Sequence, residues 1–167
     1  LEFRRVLFRS VLAEMEKNGV SIDTIYLKKL SDEIQENLNN IESQIYSYAG
    51  EKFNINSPKQ VAYILFEKLQ LSKKAKTKTK TGYSTSAKIL ESLAHEHPIV
   101  DLLLEQRHLS KLKSTYIDIL PTLINPNDGR VHTNFNQTIT STGRLSSSNP
   151  NLQNIPSHNK EIRLMFV

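Results

Sequence analysis

Between Asp23 and Gly50 the apolar positions fall on one stripe: Leu27, Leu30, Ile34, Leu38, Ile41, Ile45 and Tyr48. The steps between them run 3-4-4-3-4-3, a nearly unbroken seven-residue seam, which predicts one long helix from about Thr24 to Ala49. Asp23 offers an N-cap acceptor and Gly50 a stop. A seam of this kind wants a partner, so the segment by itself reads as half of an antiparallel helical hairpin or coiled coil.

The same reading extends along the chain. Val11–Lys17 is a short helical tail halted by Asn18-Gly19, and Val20-Ser21-Ile22 is extended. Ser57 caps a further helix with Pro58 in its first turn, and Val61, Ile64, Leu65 and Leu69 form its buried stripe. Ser84 or Thr85 caps the next, turning Ile89, Leu90 and Leu93 inward. Pro98 opens a helix that carries Ile99, Leu102, Leu103, Leu109, Leu112 and Tyr116 and ends near Leu120-Pro121. Asn125–Gly129 is a turn with an Asp-Gly hairpin signal, and Arg130–Thr138 alternates as a strand. The predicted fold class is mainly α, with a small antiparallel β portion at the end.

Composition narrows the picture only slightly. A chain of 167 residues supports one good core or a lobe with an appendage. Its 22 Lys+Arg against 17 Asp+Glu give a formal charge of +5, a mild excess that suits a polyanionic partner and is shared by many ordinary domains. The absence of cysteine excludes disulfides and thiolate metal sites and agrees with an intracellular home. No apolar run approaches a membrane span.

Four stretches carry candidate chemistry. Lys73, Lys74, Lys76, Lys78 and Lys80 crowd together without an acid, alternate in part with threonines, and lead into Gly82-Tyr83-Ser84. Such runs are usually solvated and mobile, but this one combines charge for phosphates with hydroxyls and a glycine that permits close approach. The helix start at Ser57-Pro58-Lys59 offers free N–H groups and a cation to an anion. Arg107, Lys111 and Lys113 read as a basic cluster on one helix, although a solvated lysine face is the plainer alternative. His95 and His97 flank Glu96 at a helix end, not on a strand, and read as surface residues. The fourth stretch, Thr138–Pro156, has one arginine, no acid and a dense set of hydroxyls and amides. Groups that both donate and accept suit sugars, phosphates and base edges. Composition alone would make it a polar loop.

The order of residues says more. Within it, T-x-T-G-R-L-S-S-x-x-P-N-L-Q-N-I-P resembles the signature that opens the palm of the DNA polymerase I family, family A. Five weaker motifs resemble the same family in its own order: L-x-E-M-E-x-x-G-V-x-x-D from Leu12, F-N-x-N-S-P-K-Q from Phe53, K-T-K-T-G-Y-S-T from Lys78, L-S-K-L-K-S-T-Y from Leu109 and G-R-V-H-T-x-F-N-Q-T from Gly129. The resemblance implies a junction from a proofreading-type domain at 11–23, a long helical-hairpin thumb at 24–120 with a flexible basic tip at 73–86, and the first strands of an α+β palm at 121–167. It implies minor-groove contacts to primer–template from Arg144, Asn151, Gln153 and Asn154. It implies phosphate-backbone contacts from Ser57, Lys59, Lys76, Lys78, Lys80, Thr81, Ser84 and Lys113. Minor-groove acceptors occur in every base pair, so amide and guanidinium donors there test pair geometry without reading sequence.

The implied activity of the full-length parent is template-directed addition of deoxynucleotides to a primer 3′-hydroxyl, in replication and repair, with Mg2+ held by aspartates. Those aspartates are expected beyond Phe166; Asp118 and Asp128 are single acids that do not fit the motif. The nucleotide-binding fingers are also missing. This stretch is therefore expected to bind double-stranded primer–template DNA as a monomer, in the cytoplasm of a bacterial or phage-infected cell, with no membrane partner. It is expected to catalyse nothing alone, with Mg2+ and dNTP engaged only by the parent. The rivals are a helix-pairing module built on the seam and a DNA-binding module that never had a catalytic part.

Three departures stand out. Ser157–Glu161 is shorter than the family's usual insert before I-R-x-x-F, which points to a phage-like or divergent bacterial branch. The Lys-Thr repeat is longer than usual, which should lengthen the tip. Leu1–Ser10 matches, codon for codon, one frame of a common sequencing-adapter read, so it is expected to be no part of the native protein. A palm cut short would also leave sheet edges unpaired, which predicts local disorder toward the C-terminus.

Overall fold

The computed structural model describes residues 2–71, 78–79, 82–156 and 159–167, and the side chains within those ranges other than those of 2–7, 78, 79 and 82. The chain divides into two compact units, one of Glu33–Leu112 and one of Leu1–Asp32 with Lys113–Val167. It is mainly helical with small antiparallel pairs, the predicted class.

The seam helix α2 spans Thr24–Ala49, the predicted bounds. Asp23 Oδ1 accepts from the N–H groups of Ile25 at 3.0 Å and Tyr26 at 2.9 Å, and Gly50 leaves the helix at φ +70°. The seam is buried from Leu27 to Ile45, but its last position is corrected: Ala49 is 2% exposed and Tyr48 is 45% exposed. An α-helix drifts about 20° per heptad against a strict 3.5 repeat, so after three heptads the inward position has moved on by one residue. Tyr48 instead meets the ring of His97 edge-on, with centroids 5.5 Å apart.

In the unit of Glu33–Leu112, the core gathers Ile41, Ile45 and Ala49 with side chains from every helix that follows. These are α3 (Pro58–Ala62), a π-helical turn (Tyr63–Lys68), α4 (Ala87–Ser92) and α5 (Pro98–Leu112). Leu65, Leu90, Leu93, Ile99 and Leu103 are each 0% exposed. Burying each such side chain contributes about 1.5–3 kcal/mol, so this cluster is a main source of the unit's cohesion. Two predicted caps are corrected. Ser57 occupies the N-cap position of α3 with Pro58 behind it, but its hydroxyl makes no capping bond. The N-cap of α4 is Ser86, not Ser84 or Thr85, because Thr85 is buried and its polar atoms are engaged by Arg107. His97 caps α5, its Nδ1 accepting from Ile99 N–H at 3.2 Å, and His95 is exposed, as their surface reading required. In the basic run, β1 (Lys78–Thr79) pairs antiparallel with β2 (Gly82–Tyr83), matching Lys78 to Tyr83 and Thr79 to Gly82. Alternation gave no sign of that hairpin.

In the other unit, α1 spans Glu2–Asn18 and stops at Gly19 with φ +60°. Val20 bridges Val131, Val131 bridges Ile124, and Ile22 bridges Phe166. The predicted strand Arg130–Thr138 is corrected to β3 (Asn134–Asn136), because Val131 forms only isolated bridges and Thr133 spends its hydroxyl on Pro150 O. β3 pairs antiparallel with β4 (Ser146–Ser148), Phe135 opposite Ser147. A π-helical turn (Lys113–Ile117) and 3-10 turns at Leu120–Leu123 and Leu152–Asn154 complete the supports. At 159–167 the expected loose C-terminus is corrected as well. Helix α6 (Lys160–Arg163) is capped by the Asn159 carbonyl oxygen Oδ1, Ile162 and Met165 are 1% and 0% exposed, and Asp23 N–H donates to Met165 O at 2.8 Å.

Candidate nucleic-acid interface

The amide-bearing turn is held from beneath. Thr133 and Ser147 are 6% and 4% exposed, and their hydroxyls lie 3.0 Å apart. Thr133 Oγ1 donates to Pro150 O at 2.6 Å, and Ser147 Oγ accepts from Leu152 N–H at 2.9 Å. Tyr116, 7% exposed, donates its hydroxyl to Asn154 O. Asn151 Oδ1 accepts from Gln153 N–H at 3.1 Å. The result is a fixed backbone from Pro150 to Asn154 with the side chains of Asn151, Gln153 and Asn154 exposed. Arg144 is exposed just before β4, on the other side of the same strand in sequence. A run that composition reads as a uniform polar loop is thus divided in two. Ser147 works inward, and the arginine and amides face solvent.

In the unit of Glu33–Leu112, a groove of about 760 Å³ brings Lys59 and Ser84 together with Asn56, Ser86 and Arg107. Ser57, predicted with Lys59, does not line it. Arg107 reaches across to Thr85, donating to its carbonyl and, at 3.2 Å, to its hydroxyl. Burial holds the guanidinium below its ordinary pKa. Arg107 was expected beside Lys111 and Lys113, not in this groove, and its place on the inner side of α5 was hidden because Thr85 lies 22 residues away.

Two members of the predicted basic cluster of Arg107, Lys111 and Lys113 are drawn to other partners. Arg107 turns to Thr85, while Lys113 Nζ pairs with Asp118 at 2.8 Å and donates to Ser31 Oγ at 2.9 Å. Ser31 closes the triangle by donating to Asp118 at 2.9 Å. Lys113 is therefore neutralised within its own unit. Of the other predicted contacts, Lys76, Lys80 and Thr81 lie outside the described residues, and Lys78 is described only in its backbone.

A second polar cluster ties the end of α1 to the hairpin after it. His132 Nδ1 faces Glu16 O at 2.7 Å and Nε2 faces Asp128 Oδ2 at 2.8 Å, so both ring nitrogens meet acceptors and only the imidazolium satisfies both. Arg130 donates to Asn18 O at 3.1 Å, so two basic side chains serve the carbonyls at the helix C-terminus. The bond to Glu16 O, then the bond to Asp128, hold the His132 pKa above its ordinary value. For Asp128, partial burial works upward, but the Arg130 N–H and the His132 bond and charge outweigh it and lower the pKa. The signs follow by linkage. The His132 contribution is complete below its unfolded value, about 6.5, and is lost as pH rises through its raised folded value; the Asp128 contribution is lost as pH falls through its lowered one. Thermal melts across pH should show stability falling as pH rises past about 6.5 in the native chain, and that decline should shrink in Asp128→Asn. An unchanged decline would exclude the clasp as its source.

Among the described residues no group of three or more His, Cys, Asp or Glu could hold a metal ion, and no helix is long and apolar enough to cross a membrane. Asp118 and Asp128 are each committed to a basic partner, so the residues present do not fit the Mg2+ centre that the resemblance implies.

The fold is that of part of a DNA polymerase domain. The POL domain of Pol1 from M. smegmatis, in complex with DNA primer-template and dNTP, superposes with a TM-score of 0.81 at 43% identity, covering 92% of this chain and 27% of that one. Residues 24–167 match DNA polymerase family A, and the chain belongs to that family. DNA polymerase I of Synechocystis sp. is 56% identical over 160 residues, 94% of this chain and 16% of that protein. The thermostable DNA polymerase I of Thermus aquaticus is 53% identical over 161 residues, 95% of this chain and 19% of that protein. The chain thus spans less than a fifth of the curated relatives it matches.

Proposed function

We propose that this chain is the duplex-gripping portion of a DNA-directed DNA polymerase: the thumb at 24–120 and the first part of the palm at 121–167, joined at 11–23 to a preceding domain. The observation that carries this reading is the turn of Pro150–Asn154, whose backbone is held on buried hydroxyls while Asn151, Gln153 and Asn154 stay exposed within a family A signature. Fixed donors of that kind suit the acceptors that every base pair offers in the minor groove. The groove of Lys59, Ser84 and Arg107 and the lysine run supply sequence-independent attraction to phosphates. Lys113 reaches a phosphate only by leaving Asp118, so it is the weakest of the proposed contacts.

Nucleotidyl transfer with dNTP and Mg2+ belongs to the longer protein, whose metal-binding aspartates these residues do not include. The related polymerase domain solved with primer-template and dNTP supports DNA as the partner. The helix-pairing rival needs an exposed seam, whereas Leu27, Leu30, Ile34, Leu38, Ile41 and Ile45 are all at most 6% exposed. Arg144→Ala in the full-length parent should reduce primer extension more than it reduces duplex affinity. Equal losses would argue against a role at the primer end.

A further inference from the structure

We propose that Tyr116 and Ser147 are positioning residues for the amide-bearing turn, setting how well it distinguishes a matched primer terminus from a mismatched one. Neither reaches the surface, and neither belongs to the residues expected to touch DNA. Tyr116 sits on the π-helical turn Lys113–Ile117, a local departure from α-geometry of the kind that often re-aims a side chain at a functional site. Its ring is buried, and its hydroxyl meets Asn154 O at the far end of the turn. Ser147 meets the near end, accepting from Leu152 N–H at 2.9 Å and donating to Pro150 O at 3.2 Å. Thr133 Oγ1 reinforces the near end at Pro150 O, 2.6 Å away.

The chemistry explains why hydroxyls are used. A minor-groove probe that compares pair shapes must hold its donors still, because a donor that shifts by an ångström accepts wrong geometries as readily as right ones. Short exposed amides on a free loop would adapt. Tied at Pro150, Leu152 and Asn154, they are held in one arrangement before DNA arrives. The two ends are tied from different directions, one from β4 and one from the π-turn, so losing either frees one end of the turn.

The proposal rests on the duplex-gripping reading, and its test separates the two. The chain and its Tyr116→Phe and Ser147→Ala variants are titrated with a labelled primer–template duplex ending in a matched or a mismatched pair. Backbone amide exchange at Leu152–Asn154 is followed in the same proteins without DNA. Both substitutions remove one hydroxyl and keep the surrounding bulk. Exchange should quicken roughly threefold to tenfold in each variant, the range for losing one hydrogen bond. The ratio of matched to mismatched affinity should fall toward one, while fold loss measured by thermal melting stays small. Unchanged exchange, or an unchanged ratio beside a native chain that discriminates, overturns the positioning role. A native chain that binds neither duplex overturns the gripping reading instead, and the exchange arm then decides alone whether the hydroxyls hold the turn.

Discussion

Replacing Lys76, Lys78 and Lys80 with alanine flattens the log–log dependence of duplex affinity on salt by about 0.9 for each phosphate set free, so by about 2.7 if every one of the three lysines holds a phosphate. The effect is large because it compounds across the salt range. Affinity at low salt collapses, while affinity at high salt, where the lysines already contribute little, changes least. The expectation comes from sequence: five lysines between 73 and 80 with no acid among them, followed by Gly82-Tyr83-Ser84. The antiparallel pairing of Lys78–Thr79 with Gly82–Tyr83 adds a short hairpin at the end of that run. Anisotropy titrations at several salt concentrations give the slope directly. An unchanged slope removes the run from the interface.

Gly19→Ala should be strongly destabilising for a single added methyl. Gly19 stands at φ +60°, and a Cβ there would lie 2.8 Å from Val131 O and 2.9 Å from His132 Cε1. The first atom is backbone, held in a bridge in which Val20 and Val131 exchange hydrogen bonds of 2.9 Å each way, so it cannot yield without breaking the bridge. The second belongs to the ring that clasps Glu16 O. Left-handed strain and the breaking of one or two hydrogen bonds sum to about 2–5 kcal/mol. For a chain of this size that corresponds to a drop in Tm of roughly 4–20 °C. A melt within about 2 °C of the native chain's would contradict the close approach as a constraint on this position.

Gly19 also shows what the sequence reveals and what it hides. The motif from Leu12 to Asp23 is weak as a pattern, yet the structure gives several of its members a task. Glu16 accepts from Phe135 N–H through its side chain and from His132 through its carbonyl, Gly19 admits Val131, Val20 bridges it, and Asp23 caps α2. Local rules found the stop and the cap, because a glycine and an N-cap acceptor act within a few residues. They could not find the partners, which lie more than a hundred positions away.

The seam of α2 was legible to its last turn, where 3.6 residues per turn displaced Tyr48 in favour of Ala49. The β portion was less so. β4 is a run of three serines, with no apolar alternation to mark a strand, and its inward-facing member is stabilised by hydrogen bonds instead of by hydrophobic burial. Lys113 shows a different limit. Its charge and its motif pointed outward to a phosphate, whereas without DNA it is held by Asp118 five residues on and by Ser31 on α2. A cation's availability depends on its neighbours in space, and spacing along one helix does not report them.

The central claim is that these residues grip double-stranded primer–template without sequence preference. Its most direct test is the affinity of the unaltered chain for a primer–template duplex, measured from low to high salt with two unrelated sequences. The expected result is saturable binding to both, with matching affinities and log K falling linearly in log salt by about 0.9 per phosphate held. Absence of binding at low salt, or binding indifferent to salt, would contradict it.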